Sequence, residues 1–248
     1  MSENQSLNSN DRAFEKLNNV SVSDGEATFK VIEEAVLRLW EVVNGLTTIR
    51  PPKRENYRVT IFGSARIGKD TPIYNDVKLL ATELTAMGCD IVTGGGPGLM
   101  EAANEGSVIA DPEDKLKSIG IRVALEFEQN PNPFVEQIYQ HRTFFSRLHH
   151  FILVSDAFVV VPGGIGTTLE ALMIWQLLQV RQLNHTPLIM LGEMWSDLRN
   201  WATKYMVNSE PKLAKENDMN IPQCVDTVEE AIAILRQSQG QWKSKTDV

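Results

Sequence analysis

The chain has 248 residues, 42% of them hydrophobic and 23% charged, with a formal net charge of −8. This length fits one large globular domain, and the acidic balance excludes a general nucleic-acid-binding protein, which needs a basic surface. The two cysteines, Cys89 and Cys224, have the spacing of neither a disulfide framework nor a zinc site. The N-terminus is polar, and no stretch approaches the roughly 18 apolar residues of a membrane span. The sequence therefore predicts a cytoplasmic protein without a membrane partner.

Residues 1–56 are predicted to form a region of their own. The first 26 residues are rich in Ser, Asn, Asp and Glu and are typical of a solvated arm. An amphipathic helix is predicted over residues 27–46, with apolar residues three and four positions apart, at Phe29, Ile32, Val36, Leu39, Trp40 and Val43. Pro51 and Pro52 end it. The apolar stripe must be covered by the protein's own core or by a partner subunit.

From Tyr57 onward, short apolar runs alternate with longer helical patterns. The predicted strands cover residues 58–62, 89–93, 119–124, 157–161 and 187–191, and a further short strand near Ile221 is left open. The predicted helices cover residues 74–87, 99–110, 136–153, 167–183, 194–206 and 228–237. Apolar strands that alternate with helices indicate a doubly wound, Rossmann-like parallel α/β sheet with helices on both faces. We expect this domain to span residues 57–240, followed by a tail at 241–248.

Two glycine-rich loops follow predicted strands. The first contains Gly94, Gly95, Gly96 and Gly98, and the second runs from Pro162 through Gly163, Gly164 and Gly166 to Thr167. In such a sheet, ligands bind outside the carboxyl ends of the strands, and a glycine loop that leads into a helix offers amides to a phosphate. Neither loop matches the P-loop or the GxGxxG pattern. The alternative is that these glycines only make tight turns; two dense clusters favour a ligand site.

Glu170 has two interpretations. Thr167 and Glu170 have the spacing of a capping box at a helix that Thr167 opens. Alternatively, Glu170 projects towards the ligand of the preceding loop. The helix N-terminus is expected to lower the pKa of Glu170, and a carboxylate there would stabilise a cationic transition state or activate a water molecule.

Arg147 also has two interpretations. It lies between Phe144 and Phe151 on the predicted helix, so its stem could cover apolar surface while the guanidinium reaches water, or it could serve the site. The neighbouring histidines, His141, His149 and His150, lack partners at metal-ligand spacing. We therefore expect no metal site and no catalytic histidine.

The segments from Gly94 to Glu101 and from Pro162 to Glu170 resemble the Lonely Guy (LOG) family, whose members are often labelled "possible lysine decarboxylase". The second segment fits the family's PGGxGTxxE motif at every fixed position. Phe62-Gly-Ser-Ala-Arg66 and Trp175-Gln176 add to the likeness, which runs from Tyr57 to Leu191 and more loosely to Leu235.

The resemblance implies a phosphoribohydrolase that cleaves a nucleoside 5′-monophosphate, of the AMP or cytokinin type, into the free base and ribose 5-phosphate. It implies Arg147 and Glu170 as the catalytic pair, no cofactor and a homodimer or larger homo-oligomer. The substrate-binding residues that it implies are Gly63, Ser64, Gly94, Gly95, Gly96, Gly98, Met100, Gly163, Gly164, Gly166 and Thr167. The family's MxxRK motif is altered here, because Phe144 replaces the methionine and Leu148 the lysine, which puts a cytokinin substrate in question.

Two other functions are weighed against hydrolysis. Relatives with this fold carry nucleotide-like ligands, including the molybdenum cofactor, without cleaving them; a carrier needs neither Arg147 nor Glu170. No lysine is marked as a Schiff-base residue, so the decarboxylase label is rejected. A purely structural protein would leave both glycine loops unexplained.

Overall fold

A seven-stranded parallel sheet forms the framework of the chain from Tyr57 onward. The computed structural model describes residues 25–46, 55–124, 130–184 and 186–246. The strands are β1 (Tyr57–Phe62), β2 (Cys89–Thr93), β3 (Ser118–Val123), β4 (Gln137–His141), β5 (Ala157–Val160), β6 (Leu188–Leu191) and β7 (Pro222–Val225). Their order in the sheet is β4-β3-β2-β1-β5-β6-β7. Every pairing is parallel.

Helices cover both faces of this sheet. They are α2 (Pro72–Ala86), α3 (Leu99–Ala110), α4 (Phe144–Val154), α5 (Ile165–Gln179), α6 (Glu193–Ala202) and α7 (Val228–Thr246). The core on one face includes Leu84 of α2, Leu99 of α3 and Leu235 of α7. The core on the other includes Phe151 of α4 and Trp195 of α6. The predicted doubly wound fold is confirmed.

The N-terminal helix α1 (Gly25–Leu46) belongs to a separate compact unit. Its bounds agree with the helix that the apolar spacing predicts. Most of the predicted polar arm, and residues 47–54, lie outside the described residues, so the proposed boundaries at residues 56 and 240 stay predictions. No helix in the part of the chain that the structure describes is both long and apolar enough to cross a membrane.

The predicted long helix over residues 136–153 is wrong. Its first part is β4, which pairs with β3 from Ile119 opposite Gln137 to Val123 opposite His141. The helix α4 begins only at Phe144, where the side chain of Thr143 accepts a hydrogen bond from the Ser146 amide at 3.2 Å. The helical spacing of the apolar residues does not reveal this cap, so the prediction starts the helix too early, at residue 136. Because β4 is a half-exposed edge strand, it lacks the apolar run that reveals the central strands.

Smaller differences concern element ends. The helix α5 begins at Ile165 and ends at Gln179, earlier at both ends than the prediction from Thr167 to Leu183. The last helix continues to Thr246, beyond the predicted end at Gln237, so it includes residues 241–246 of the predicted tail. The strand left open near Ile221 exists as β7.

Candidate functional site

The loops after β1, β2 and β5 meet at the carboxyl edge of the sheet. In the strand order, β1 lies between β2 and β5. The strands β2, β3 and β4 are added on one side of β1 and β5, β6 and β7 on the other, so the direction of the strand order switches here. The Ser64 amide donates to the Pro162 carbonyl at 3.1 Å, and the Leu99 amide donates to the Ser64 carbonyl at 2.9 Å. These bonds join the three loops. A crevice at such a switch of direction is where open α/β sheets bind ligands.

Gly98 shapes the first glycine loop. Its φ of 72° lies in the left-handed region, and a Cβ there would collide with the backbone of Ser64 and Ala65. The loop can therefore lie directly on the turn after β1 only with glycine at this position. Met100, at the start of α3, packs against this loop. Its sulfur would lie 2.7 Å from a Cβ atom placed on Gly94.

A buried polar network that the sequence analysis missed supports this loop. The Asn132 side chain donates to the Gly96 carbonyl at 2.9 Å and to Asn104 Oδ1 at 3.0 Å. The Asn132 amide donates to the Gly95 carbonyl at 3.0 Å. Thr93 Oγ1 completes the network, donating to Asn104 Oδ1 at 2.7 Å and accepting from the Gly95 amide at 2.9 Å. The sequence predicts only a loop at Pro131-Asn132-Pro133, because its composition does not reveal these distant partners.

Arg147 points into the protein and not to solvent. Its Nε donates to the Ile121 carbonyl at the end of β3 at 2.8 Å, and the guanidinium stacks over the Phe151 ring at 5.2 Å. It also lies against the first glycine loop, since a Cβ on Gly94 would come within 2.5 Å of an Arg147 terminal nitrogen. With 13% of its side chain exposed, Arg147 is a fixed cation at the carboxyl edge.

Glu170 lies beside this cation. Arg147 Nη1 donates to Glu170 Oε1 at 3.3 Å, and 11% of the Glu170 side chain is exposed. The predicted capping box is wrong, because α5 begins at Ile165 with Gly164 as its N-cap residue and without a side-chain cap. Thr167 therefore lies inside the first turn, where it is buried. Arg147 comes from α4 and Glu170 from α5, so the fold brings together the two residues predicted as a catalytic pair.

Burial raises the pKa of Glu170 to about 7, although the Arg147 guanidinium lowers it. The expected lowering is therefore wrong. Proximity to a helix N-terminus stabilises a carboxylate only modestly, whereas transfer of a carboxyl group out of water disfavours its charged form by more. The result is a carboxyl group that changes its protonation near neutral pH.

The second glycine loop presents backbone to solvent beside this pair. Gly164, Ile165 and Gly166 are exposed, and Ile165 keeps 88% of its surface accessible. Because Gly164 provides no side-chain cap, the first amides of α5 depend on other acceptors, as at a helix N-terminus that binds an anion. The role of Gly163, Gly164, Gly166 and Thr167 as a phosphate cradle, and of Gly63, Ser64 and Met100 as substrate contacts, stays a prediction.

The histidines form a local structural contact. His141 Nε2 and His150 Nδ1 are 2.9 Å apart, and the two ring centroids are 5.1 Å apart. Burial, helped by the charge of neighbouring cationic groups, lowers the pKa of His150 to about 4 and also lowers that of His141. Within the described ranges, no group of three His, Cys, Asp or Glu side chains could hold a metal ion.

A curated nucleosidase is similar to part of this chain. The chain is 26% identical over 140 residues to the pyrimidine/purine nucleotide 5′-monophosphate nucleosidase of Escherichia coli K12. That match covers 54% of this chain and 30% of the relative, so the chain spans about a third of the length of that protein.

Two solved structures resemble the fold. The molybdenum cofactor carrier protein of Chlamydomonas reinhardtii is 18% identical with a TM-score of 0.55, over 75% of this chain and 99% of that one. The molybdenum cofactor binding protein of Rippkaea orientalis is 19% identical with a TM-score of 0.56, over 75% and 98%. At this identity, the likeness shows the fold alone.

A family model described as "Possible lysine decarboxylase" matches residues 100–235. The matched segment covers more than half of the chain and includes β4, Arg147 and Glu170. It begins at Met100, directly after the first glycine loop. The chain therefore belongs to the LOG family, the family to which this description is attached.

Proposed function

We propose that this protein hydrolyses the N-glycosidic bond of a nucleoside 5′-monophosphate. The observation that carries the proposal is the buried Arg147–Glu170 pair at the switch point of the sheet, beside an exposed glycine loop at the N-terminus of α5. The likeness to a nucleotide 5′-monophosphate nucleosidase supports the substrate class. The products are the free base and ribose 5-phosphate.

Glu170 acts as the general base in this proposal. The bond from ribose C1′ to the base nitrogen breaks, and a water oxygen bonds to C1′ as the water gives one proton to Glu170. The departing base takes up a proton from solvent, and Glu170 afterwards releases its proton to solvent. A general base works best with a pKa near the operating pH, which the value of about 7 satisfies. In its ionised form, Glu170 also stabilises the positive charge that develops on the ribose as the base departs.

Arg147 holds Glu170 in place for this step. Its bond to the Ile121 carbonyl fixes the guanidinium, which then donates to Glu170 Oε1. The exposed amides of the Pro162–Thr167 loop bind the substrate phosphate, away from the bond that breaks. Such remote binding orients the ribose and lowers the entropic cost of reaction.

The direct test supplies purified protein with AMP, GMP, CMP and a cytokinin monophosphate and measures release of ribose 5-phosphate. We expect at least one substrate to be cleaved. A protein that binds a nucleotide tightly and cleaves none of the four would replace this proposal with a carrier function. The panel also tests whether Phe144 and Leu148 allow a cytokinin base.

Matched variants separate chemistry from folding. Glu170→Gln should lower kcat by on the order of 10³-fold and keep nucleotide affinity, because the amide keeps the shape but cannot take a proton. Glu105→Gln is the control: Glu105 is also half-buried and paired, with Lys78 and Tyr74, but it lies on α3 outside the site. Equal loss in both variants would attribute the effect to packing.

The arginine has its own matched control. Arg147→Lys keeps the charge but cannot donate to both the Ile121 carbonyl and Glu170, so we expect kcat to fall by on the order of 10²-fold. Arg58 forms an ion pair with Asp90 at 3.0 Å at the start of β1 and β2, the opposite edge of the sheet. Arg58→Lys should leave kcat within about twofold of wild type. Full activity of Arg147→Lys would refute the positioning role.

A further inference from the structure

The buried network below the first glycine loop extends further into the fold. The Gly95 amide donates to Thr93 Oγ1, which donates to Asn104 Oδ1. Asn104 Nδ2 donates to Ser118 Oγ at 2.9 Å, and Ser118 Oγ donates to the Phe134 carbonyl at 2.8 Å. Thr93 and Asn104 are fully buried and Ser118 is 1% exposed, so water has little access to the three side chains.

The direction of each bond in this network is fixed. A backbone amide can only donate, so the Thr93 oxygen accepts from Gly95 and uses its own hydrogen for Asn104. Asn104 Oδ1 also accepts from Asn132, which leaves the Asn104 amide group to donate to Ser118. Rotation of the Asn104 side chain would lose all three of its bonds. Because the groups are buried, such a loss is costly, and the network is therefore stiff.

The loop that this network holds lies against the guanidinium of Arg147. Gly94 lies between the two residues that the first bond of the network joins. A Cβ atom placed on Gly94 would lie 2.5 Å from Arg147 Nη2, so the loop backbone and the guanidinium are in contact. Elsewhere, the guanidinium meets the Ile121 carbonyl, the Phe151 ring and Glu170. The loop therefore limits where the guanidinium can lie.

We propose that Thr93 and Asn104 are positioning residues for Arg147 and, through it, for Glu170. They act through the backbone of the first glycine loop, which they hold against the guanidinium. Their role in catalysis rests on the proposed hydrolysis, in which Arg147 keeps Glu170 in place. Their effect on the position of Arg147 does not depend on that function and can be measured without substrate.

Loss of this support should change the ionisation of Glu170. Burial raises the pKa of Glu170 and the Arg147 guanidinium lowers it, so a guanidinium that moves away leaves the pKa higher. An opposite charge within about 4–6 Å lowers the pKa of a carboxyl group by roughly 1–3, so a partial retreat of Arg147 should raise the pKa of Glu170 by about 0.5–1. A substitution that only loosens packing elsewhere leaves this contact as it is.

Thr93→Val tests the proposal, because valine keeps the shape of threonine but removes the oxygen that links Gly95 to Asn104. NMR of ¹³C-labelled glutamate carboxyl groups, followed over pH, gives the pKa of Glu170 in each variant. The spectrum of Glu170→Gln identifies the signal. Thr93→Ser keeps the hydroxyl group and should return the pKa to the wild-type value.

Gln239→Leu is the matched control. Gln239 is buried and donates to the Met87 carbonyl at 2.9 Å, just before β2 begins, whereas Thr93 ends that strand. Both substitutions remove a buried hydrogen bond, but only Thr93 holds the loop, so Gln239→Leu should leave the pKa of Glu170 unchanged. An unchanged pKa in Thr93→Val overturns the proposal, as does an equal rise in Gln239→Leu.

Asn104→Ala decides the question if Thr93→Val does not fold. It removes the oxygen that accepts from Thr93 and Asn132, so the pKa of Glu170 should rise here too, and an unchanged value would overturn the proposal.

Activity assays separate this role from the proposed function. The pH at which kcat/KM levels off should rise together with the pKa of Glu170 in Thr93→Val. A wild type that cleaves no nucleotide would refute hydrolysis, and the carboxyl titration would still show whether Thr93 and Asn104 position the pair. An active wild type whose Thr93→Val variant keeps the original pKa would retain hydrolysis and overturn the positioning role.

Discussion

Replacing Glu170 by Gln should change how stability depends on pH, because this residue is an ionisable group that the fold buries beside Arg147. Burial raises its pKa to about 7 in the folded chain, against an ordinary value of 4.5. The folded state therefore holds a proton on Glu170 between these values, where the unfolded state has lost it. Stability from this proton is complete below pH 4.5 and is lost as the pH rises through 7.

The size of the effect follows from the two pKa values. A shift from 4.5 to about 7 lowers the free energy of unfolding by about 2–3 kcal/mol between pH 5 and pH 8, at 1.36 kcal/mol per pKa unit. Gln does not titrate, but its carbonyl still accepts from Arg147. The free energy of unfolding of Glu170→Gln should therefore rise relative to wild type with increasing pH.

Urea unfolding followed by tryptophan fluorescence at pH 5, 6, 7 and 8 measures this difference. Subtracting wild type from variant removes the titration of all other groups. Glu105→Gln is a control of opposite sign: burial raises the pKa of Glu105, but its bonds from Lys78 and Tyr74 outweigh burial and hold it below the usual value. A Glu170→Gln difference that is flat from pH 5 to pH 8 would refute the raised pKa and the general-base argument.

Three further outcomes test the site. In wild type, kcat/KM should rise with pH and level off above about pH 7, because the base must be ionised; a profile flat from pH 5 to pH 8 would exclude Glu170 as the base. Gly94→Ala should lower kcat far more than thermal stability, since its methyl group would meet Arg147 at 2.5 Å; unchanged kcat would show that Arg147 can shift freely. Asn132→Ala should raise KM and lower the free energy of unfolding by about 1–3 kcal/mol, because the Gly96 carbonyl loses its side-chain donor and Asn104 Oδ1 keeps only the bond from Thr93; rates over a range of nucleotide concentrations and urea unfolding would measure the two effects, and an unchanged KM would reduce Asn132 to a structural role.

The sequence predicts the fold well where burial is complete. The central strands are buried and mostly apolar because helices cover both faces, so β1, β2, β3, β5 and β6 appear as short runs rich in apolar residues. The edge strand β4 is half-exposed and carries Gln137, Tyr139 and Gln140, so its composition does not distinguish it from the start of a helix. Its pairing with β3 is a property of the sheet, beyond the reach of local pattern.

The candidate site is predictable only in part, for a similar reason. A motif fixes which residues are present, and the pairing of Arg147 with Glu170 follows from the resemblance. The protonation of Glu170 depends on how much water the fold excludes, which spacing does not report. The Asn132 network likewise joins residues distant in the chain, Asn132 to Asn104 and Gly96, and no local pattern contains that information.

In the proposed function, nucleotide binding and nucleotide cleavage make different demands on this site. We propose that phosphate binding uses backbone amides of the glycine loops, which depend little on the neighbouring side chains. Cleavage also requires a carboxyl group that loses its proton near neutral pH and a fixed cation that holds this group in place. Here Arg147 is anchored by the Ile121 carbonyl and Glu170 by Arg147, so removing the carboxylate should convert the protein into a carrier. Glu170→Gln that still binds AMP but no longer cleaves it would separate the two functions on one scaffold, whereas loss of binding together with turnover would mean that the pair serves affinity rather than chemistry.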